Sequence, residues 1–125
     1  MQMLKIKRAY DKKETSDGKR ILIDRLWPRG VTKAEADIDE WFKELGPSTE
    51  LRKWFGHDPE RWPEFKERFT RELSEAGKRE ILDGIAQNAK RNHVTLIYSA
   101  KDTEHSNAKV LQKLIQEMMD QAQAR

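Results

Sequence analysis

The spacing of apolar residues changes several times along the chain, and each change marks a predicted element. Met3 to Arg8 alternates, with Leu4 and Ile6 on one side and Lys5 and Lys7 on the other, which predicts a strand with Leu4 and Ile6 inward. A polar stretch closing on Asp17-Gly18, a turn signal, separates it from a second strand, Arg20-Ile-Leu-Ile-Asp-Arg-Leu26, which Trp27-Pro28-Arg29-Gly30 halts. Thr32 and Glu35 have capping-box spacing and predict a short helix near Lys33. Ile38, Trp41, Phe42 and Leu45 then continue at helical spacing until Gly46-Pro47. Ser48 suits the cap of a helix that carries Leu51, Trp54 and Phe55 and ends at Gly56. Asp58-Pro59 restarts the helix, with Asp as N-cap and Pro where its missing N–H costs nothing. Trp62, Phe65, Phe69 and Leu73 form its apolar stripe; after a break near Gly77, Ile81, Leu82, Ile85 and Ala89 form the next. Val94 to Tyr98 is a nearly continuous apolar run, expected to be a central strand buried on both faces. From Asn107 to Gln121, Val110, Leu111, Leu114, Ile115, Met118 and Met119 repeat as a terminal amphipathic helix.

This order predicts an α/β fold: a small, mostly parallel sheet of about three or more strands packed with helices. A single domain is expected over residues 1–125, with 120–125 a frayed tail. The strands at 20–26 and 94–98 are expected to run parallel through a long helical crossover. The direction of the first strand is open, because its connection suits either a hairpin or a short crossover.

Composition narrows the class. Hydrophobic residues make up 36% and charged residues 38%, so one core lies under a heavily charged surface. The absence of cysteine excludes disulfides, thiolate nucleophiles and Cys-based metal centres, and fits a reducing compartment. The first residues lack the apolar stretch of a signal peptide, and no window has the length of a membrane span; the expected location is cytoplasmic, with no membrane partner. The net charge of +3 is uneven: residues 1–30 hold nine Lys/Arg against four Asp/Glu, the rest sixteen against eighteen. Such a basic end attracts nucleic acid or a small phosphorylated ligand, or is a solvated strand and loop.

Three segments exceed what the fold requires. The first, Asp24-Arg25-Leu26-Trp27-Pro28-Arg29-Gly30, lies at a strand end, where open α/β sheets bind ligands. Its two guanidinium groups suit an anion and its indole offers a stacking face; structurally, Trp27 also suits the core and Asp24 an internal pair with an arginine. In the second, Trp54 to Trp62, only His57 is unneeded by the helix stop and restart. The third, Tyr98 to Ala108, runs from strand to helix N-terminus, where unpaired N–H groups and Lys101 favour an anion, although Asp102 and Thr103 also suit N-caps. Phosphate-loop glycines and the Cys-x5-Arg arrangement are absent, and no HExxH-type spacing indicates a metal.

Taken together, DGKRILIDRLWPRG at 17–30, WFGHDP at 54–59 and VTLIYSAKDTEHSNA at 94–108 resemble the YeaO-like family of bacterial proteins, the domain-of-unknown-function family DUF488. The resemblance runs from Leu4 to about Met118. It implies a compact α/β fold in which Arg25, Trp27, Arg29, His57, Lys101, His105 and Asn107 belong to recurrent motifs, and it carries over no reaction. Ser106 stands where the resemblance leads one to expect an asparagine.

The leading expectation is a site for an anionic small molecule, of nucleotide or sugar phosphate type, at the carboxyl ends of the strands. Arg25, Trp27, Arg29, Ser99, Lys101 and Asn107 would bind, Arg25, Arg29, Lys101 and His105 converging on one pocket. His57 or His105 would serve as acid or base if chemistry occurs, and Asp24 would orient a partner. The alternatives are a nucleic-acid-binding or regulatory protein using the basic N-terminal quarter, and a non-catalytic interaction module using the terminal helix. Neither a cofactor nor an oligomeric state is indicated.

Overall fold

The computed structural model describes residues 4–123. Four strands, β1 (Leu4–Arg8), β2 (Lys19–Leu22), β3 (Glu40–Trp41) and β4 (Val94–Tyr98), form one sheet in the order β1-β4-β2-β3, parallel throughout. The helices are α1 (Lys33–Ala36), α2 (Thr49–Phe55), α3 (Trp62–Glu72), α4 (Ala76–Ala89) and α5 (Asn107–Gln123). β4 lies between β1 and β2 with all five residues buried, as expected for the central strand. The first strand is parallel, which resolves its direction.

Strand alternation divides the sheet between two cores. Leu4, Ile21, Ile23, Leu96 and Tyr98 face the large core, where Phe65, Phe69, Leu82, Ile85, Leu111 and Ile115 of the helices meet them. Leu22, Ile97 and Ala9 face a smaller core closed by Trp27, Ile38 and Trp41. The same face carries a charged cluster in which Asp17, fully buried, binds Lys7 Nζ at 2.8 Å and Arg20 Nη1 at 2.7 Å. Thr95 Oγ1 donates to the Asp17 carbonyl at 2.7 Å and holds that loop against β4.

Several caps stand as the sequence predicts. Thr32 and Glu35 form the reciprocal box that starts α1, Ser48 Oγ accepts from Leu51 N to start α2, and Gly56 ends α2 in the left-handed conformation. The segment from Ile38 to Leu45, expected to be helical, is instead β3 followed by a 3₁₀ turn at Lys43–Leu45. Asp37, left-handed at φ 45°, ends α1 after one turn, and the open edge of β2 captures the next residues: Asp39 N donates to Arg20 O and Phe42 N to Leu22 O. Ile38 and Trp41 enter the small core while Phe42 and Leu45 pack on the large one, a two-sided division that a single helical stripe cannot make.

Smaller corrections concern boundaries. The β2 ladder ends near Ile23, whose N–H still reaches Ile97 O, so Asp24 to Leu26 lie beyond it. Asp58 caps a 3₁₀ turn, Pro59–Arg61, that runs into α3. The break before α4 falls at residues 73–75, and Gly77 lies in its first turn. The expected frayed tail is helical to Gln123; Met3, 124 and 125 lie outside the described residues.

Candidate functional site

Where β2 leaves the sheet, Asp24 becomes the junction of three chain segments. Its Oδ2 accepts from Ser99 N at 2.9 Å and Ser99 Oγ at 2.7 Å, and its Oδ1 accepts from Asn107 Nδ2 at 2.9 Å. Its carbonyl accepts from Trp41 Nε1 at 2.6 Å. The carboxylate thus ties β2 to the β4–α5 loop and α5, rather than pairing with an arginine. Both of its oxygens are engaged, which suits an orienting role better than that of a free base.

Arg25, next in the chain, is held by its Nε, which donates to the carbonyls of Gly46 and Pro47 at 3.1 and 2.8 Å. The approach is close enough that a Cβ on Gly46 would lie 2.8 Å from Arg25 Cγ. Trp27 donates from Nε1 to Val31 O at 2.6 Å and meets Trp41 edge-on with centroids 5.5 Å apart, so much of its ring belongs to the small core. Arg29 is exposed beyond the strand.

These residues line one side of a cavity of about 640 Å³ at the carboxyl ends of β2 and β4. Ser99, His105, Ser106 and Asn107 line another side, and α2 closes it with Arg52 and Lys53. Arg25, Arg29 and His105 therefore converge as expected from the sequence, and His57 joins them. Lys101 is exposed and is not among the lining residues, which corrects its place in the cluster. Sequence reasoning missed Arg52, Lys53 and Tyr10. Tyr10 follows a parallel strand end, the signal that singled out Asp24 to Gly30, whereas Arg52 and Lys53 read only as the polar side of a helix.

The electrostatics are one-sided. Among the described residues, Arg25, Arg29, Arg52 and Lys53 have no carboxylate ion-pair partner, and Asp24 is the one acidic residue in the lining. In contrast, five of the nine cations in residues 1–30 are paired: Lys5, Lys7 and Arg20 to Asp17, Lys13 to Asp37 and Lys19 to Glu40. Of the other four, Arg25 and Arg29 line the cavity, Arg8 donates to the Ala100 and Ser99 carbonyls, and Lys12 is exposed. A larger, more open groove of about 990 Å³ between α3 and α5 mixes Lys66, Arg71 and Lys113 with Glu67, Glu104 and Glu117 and has no such bias.

The two candidate histidines reach the cavity by different devices. His57 follows Gly56 in the left-handed region at φ 59°, a conformation that costs a non-glycine residue about 1 kcal/mol. His105 Nδ1 lies 2.8 Å from Asp102 Oδ2, and the Trp62 ring meets its imidazole edge-on at 5.3 Å. The hydrogen bond with His105 is the main cause that holds the Asp102 carboxyl below its ordinary pKa. In the neutral ring, a carboxylate at Nδ1 selects the Nδ1–H tautomer and leaves Nε2 an acceptor. Asp102 also accepts from the N–H groups of Glu104 and His105, so it caps the turn that sets this ring. Among the described residues, no three His, Asp or Glu side chains are grouped to hold a metal, and no helix is long and apolar enough to cross a membrane.

A family model described as the inactive DUF488-N3 subclade matches residues 3–125. The chain is 47% identical to the uncharacterised protein YeaO of Escherichia coli over 111 residues, covering 86% of this chain and 92% of that one. It is 34% identical to uncharacterised proteins of Mycobacterium bovis and Mycobacterium tuberculosis over 112 residues, covering 90% of this chain and 92% of theirs. No solved structure matches. With a match that extends through both cores and all three motif segments, the chain belongs to the YeaO-like DUF488 family, in the subclade described as inactive DUF488-N3.

Proposed function

We propose that this protein binds an anionic small molecule, one bearing a phosphate or similar group, and holds it without chemical turnover. The observation that carries the reading is the gathering of four cations without carboxylate partners around one cavity at the strand ends. Such a cluster repels itself when empty, and a phosphate removes the repulsion while accepting forked hydrogen bonds from the arginines. Absence of turnover is supported by Asp24, whose oxygens are taken up by Ser99 and Asn107, by the lack of a thiol nucleophile, and by the description of the matching family as inactive.

Arg29→Ala tests the binding. Arg29 is exposed, and among the described residues its side chain makes no hydrogen bond or ion pair, so the ligand-free variant should melt at the wild-type temperature or slightly above it. Inorganic phosphate at millimolar concentration should raise the melting temperature of the wild type by mass action and raise that of Arg29→Ala much less. A steep loss of stability in the ligand-free variant, with the phosphate shift intact, would make Arg29 structural and remove it from the site.

A further inference from the structure

Tyr10 stands at the mouth of the cavity and is held there as a platform. Its hydroxyl donates to Arg29 O at 3.0 Å, and the Arg8 guanidinium lies over its ring, 4.9 Å from the centroid. Arg8 is itself tethered: Nε donates to Ala100 O at 2.9 Å and Nη2 to Ser99 O at 3.1 Å. The ring is therefore fixed at its edge and on one face while remaining 48% exposed. A surface tyrosine ordinarily retains rotamer freedom; here that freedom is already lost, so a ligand stacking on the ring loses less entropy in doing so.

The distribution of exposed apolar surface points the same way. Tyr10 and Leu26, the latter 64% exposed, are the large hydrophobic side chains left open to water among the described residues, and both line this cavity. Inorganic phosphate or a sugar phosphate gains little from an apolar, aromatic mouth, whereas a planar heterocycle stacks on it. The volume suits one small molecule rather than a strand.

Resting on the reading of the cavity as an anion site, we infer that its ligand is a mononucleotide, with the phosphate among the Arg25, Arg29, Arg52 and Lys53 cations and the base on Tyr10. Calorimetric titration of the full chain with adenosine 5′-monophosphate and with ribose 5-phosphate separates the two levels of this claim. The mononucleotide should bind at least about tenfold more tightly than the sugar phosphate, the usual worth of one stacked base. Tyr10→Ala should abolish that difference, and Tyr10→Phe, which keeps the ring, should retain most of it. Equal wild-type affinities, or a preference that survives in Tyr10→Ala, would overturn the platform and leave the anion site standing. Tighter binding of a 5′-phosphorylated oligonucleotide than of the mononucleotide at physiological salt would overturn the mononucleotide assignment. Failure of both small phosphates to bind would overturn the anion site, and this inference with it.

Discussion

Asp24 illustrates how one side chain joins parts of the chain that are far apart in sequence. Three hydrogen bonds from Ser99 and Asn107 end on its carboxylate, in partly buried surroundings. Removing an acceptor there leaves several donors unpaired, and hydrogen bonds to charged groups are the stronger kind. Asp24→Ala should cost about 2–3 kcal/mol of folding stability, measured by urea denaturation. Asp24→Asn should cost less, because its amide oxygen still accepts from Ser99 and the Asn107 amide can turn to present its own oxygen. Equal losses for the two variants would mean that the side chain matters by its shape and not by its hydrogen bonds. Lys101 belongs to the third motif segment yet stays in solvent, while Arg52 belongs to none and lines the cavity.

At the scale of elements, α2 owes its position to a clamp at its first turn. Ser48 Oγ accepts from Leu51 N at 3.1 Å and donates to Glu72 Oε2 at 2.6 Å, while Ser48 N donates to Glu72 Oε1 at 2.9 Å. One residue thus caps α2 and fastens it to the end of α3, and α2 in turn carries Arg52 and Lys53 to the cavity. Ser48→Ala removes the cap and one clamp bond, an expected loss of about 1–2 kcal/mol with the urea m-value unchanged. Ser48→Thr should restore most of it, since threonine caps comparably. A loss confined to Ser48→Ala, with phosphate binding weakened in proportion, would tie the fixing of α2 to the site. Full phosphate affinity in that variant would separate the clamp from binding. The helix boundaries at Ser48 and Gly56 are legible in the sequence because caps are local chemistry, whereas the partner Glu72 lies in another helix.

For the whole molecule, the buried cluster around Asp17 sets the response to acid. Burial alone would raise the Asp17 pKa, but hydrogen bonds from Lys7, the Glu14 backbone and Arg20 prevail and lower it from an ordinary 3.8 to about 2. Lys7 shows the counterpart: burial opposes its charge, and bonds to Asp17 and Glu14 outweigh that and raise its pKa. A carboxyl depressed on folding contributes stability that is present above its unfolded value and is lost as pH falls through the folded one. Stability should therefore hold down to about pH 4 and decline toward pH 2, by an amount on the order of 1–2 kcal/mol for this group after screening. In Asp17→Asn that acid limb should flatten, while the protein is destabilised at neutral pH because Lys7 and Arg20 lose their partner. An unchanged acid limb in Asp17→Asn would move the pH dependence to other carboxylates.

What the sequence determined by itself is everything carried by short-range periodicity and caps: the strands β1, β2 and β4, the burial of β4, the starts of α1 and α2, and the stop at Gly56. It also marked the strand-end segments around Arg25 and His105 that do meet at one cavity, because a parallel sheet brings all its carboxyl ends to one edge. Tertiary structure alone decided the rest. The Ile38–Leu45 segment has apolar spacing compatible with a helix, and it became an edge strand because β2 had an unpaired edge within reach and two cores waiting on opposite faces. The parallel sense of β1, the arrival of Arg52, Lys53 and Tyr10 at the cavity and the exclusion of Lys101 likewise depend on packing between residues distant in the chain. A helical period or a cap is settled within one or two turns of backbone, but an edge pairing or a cavity wall is settled by whichever remote surface buries the most and leaves no hydrogen bond unmade.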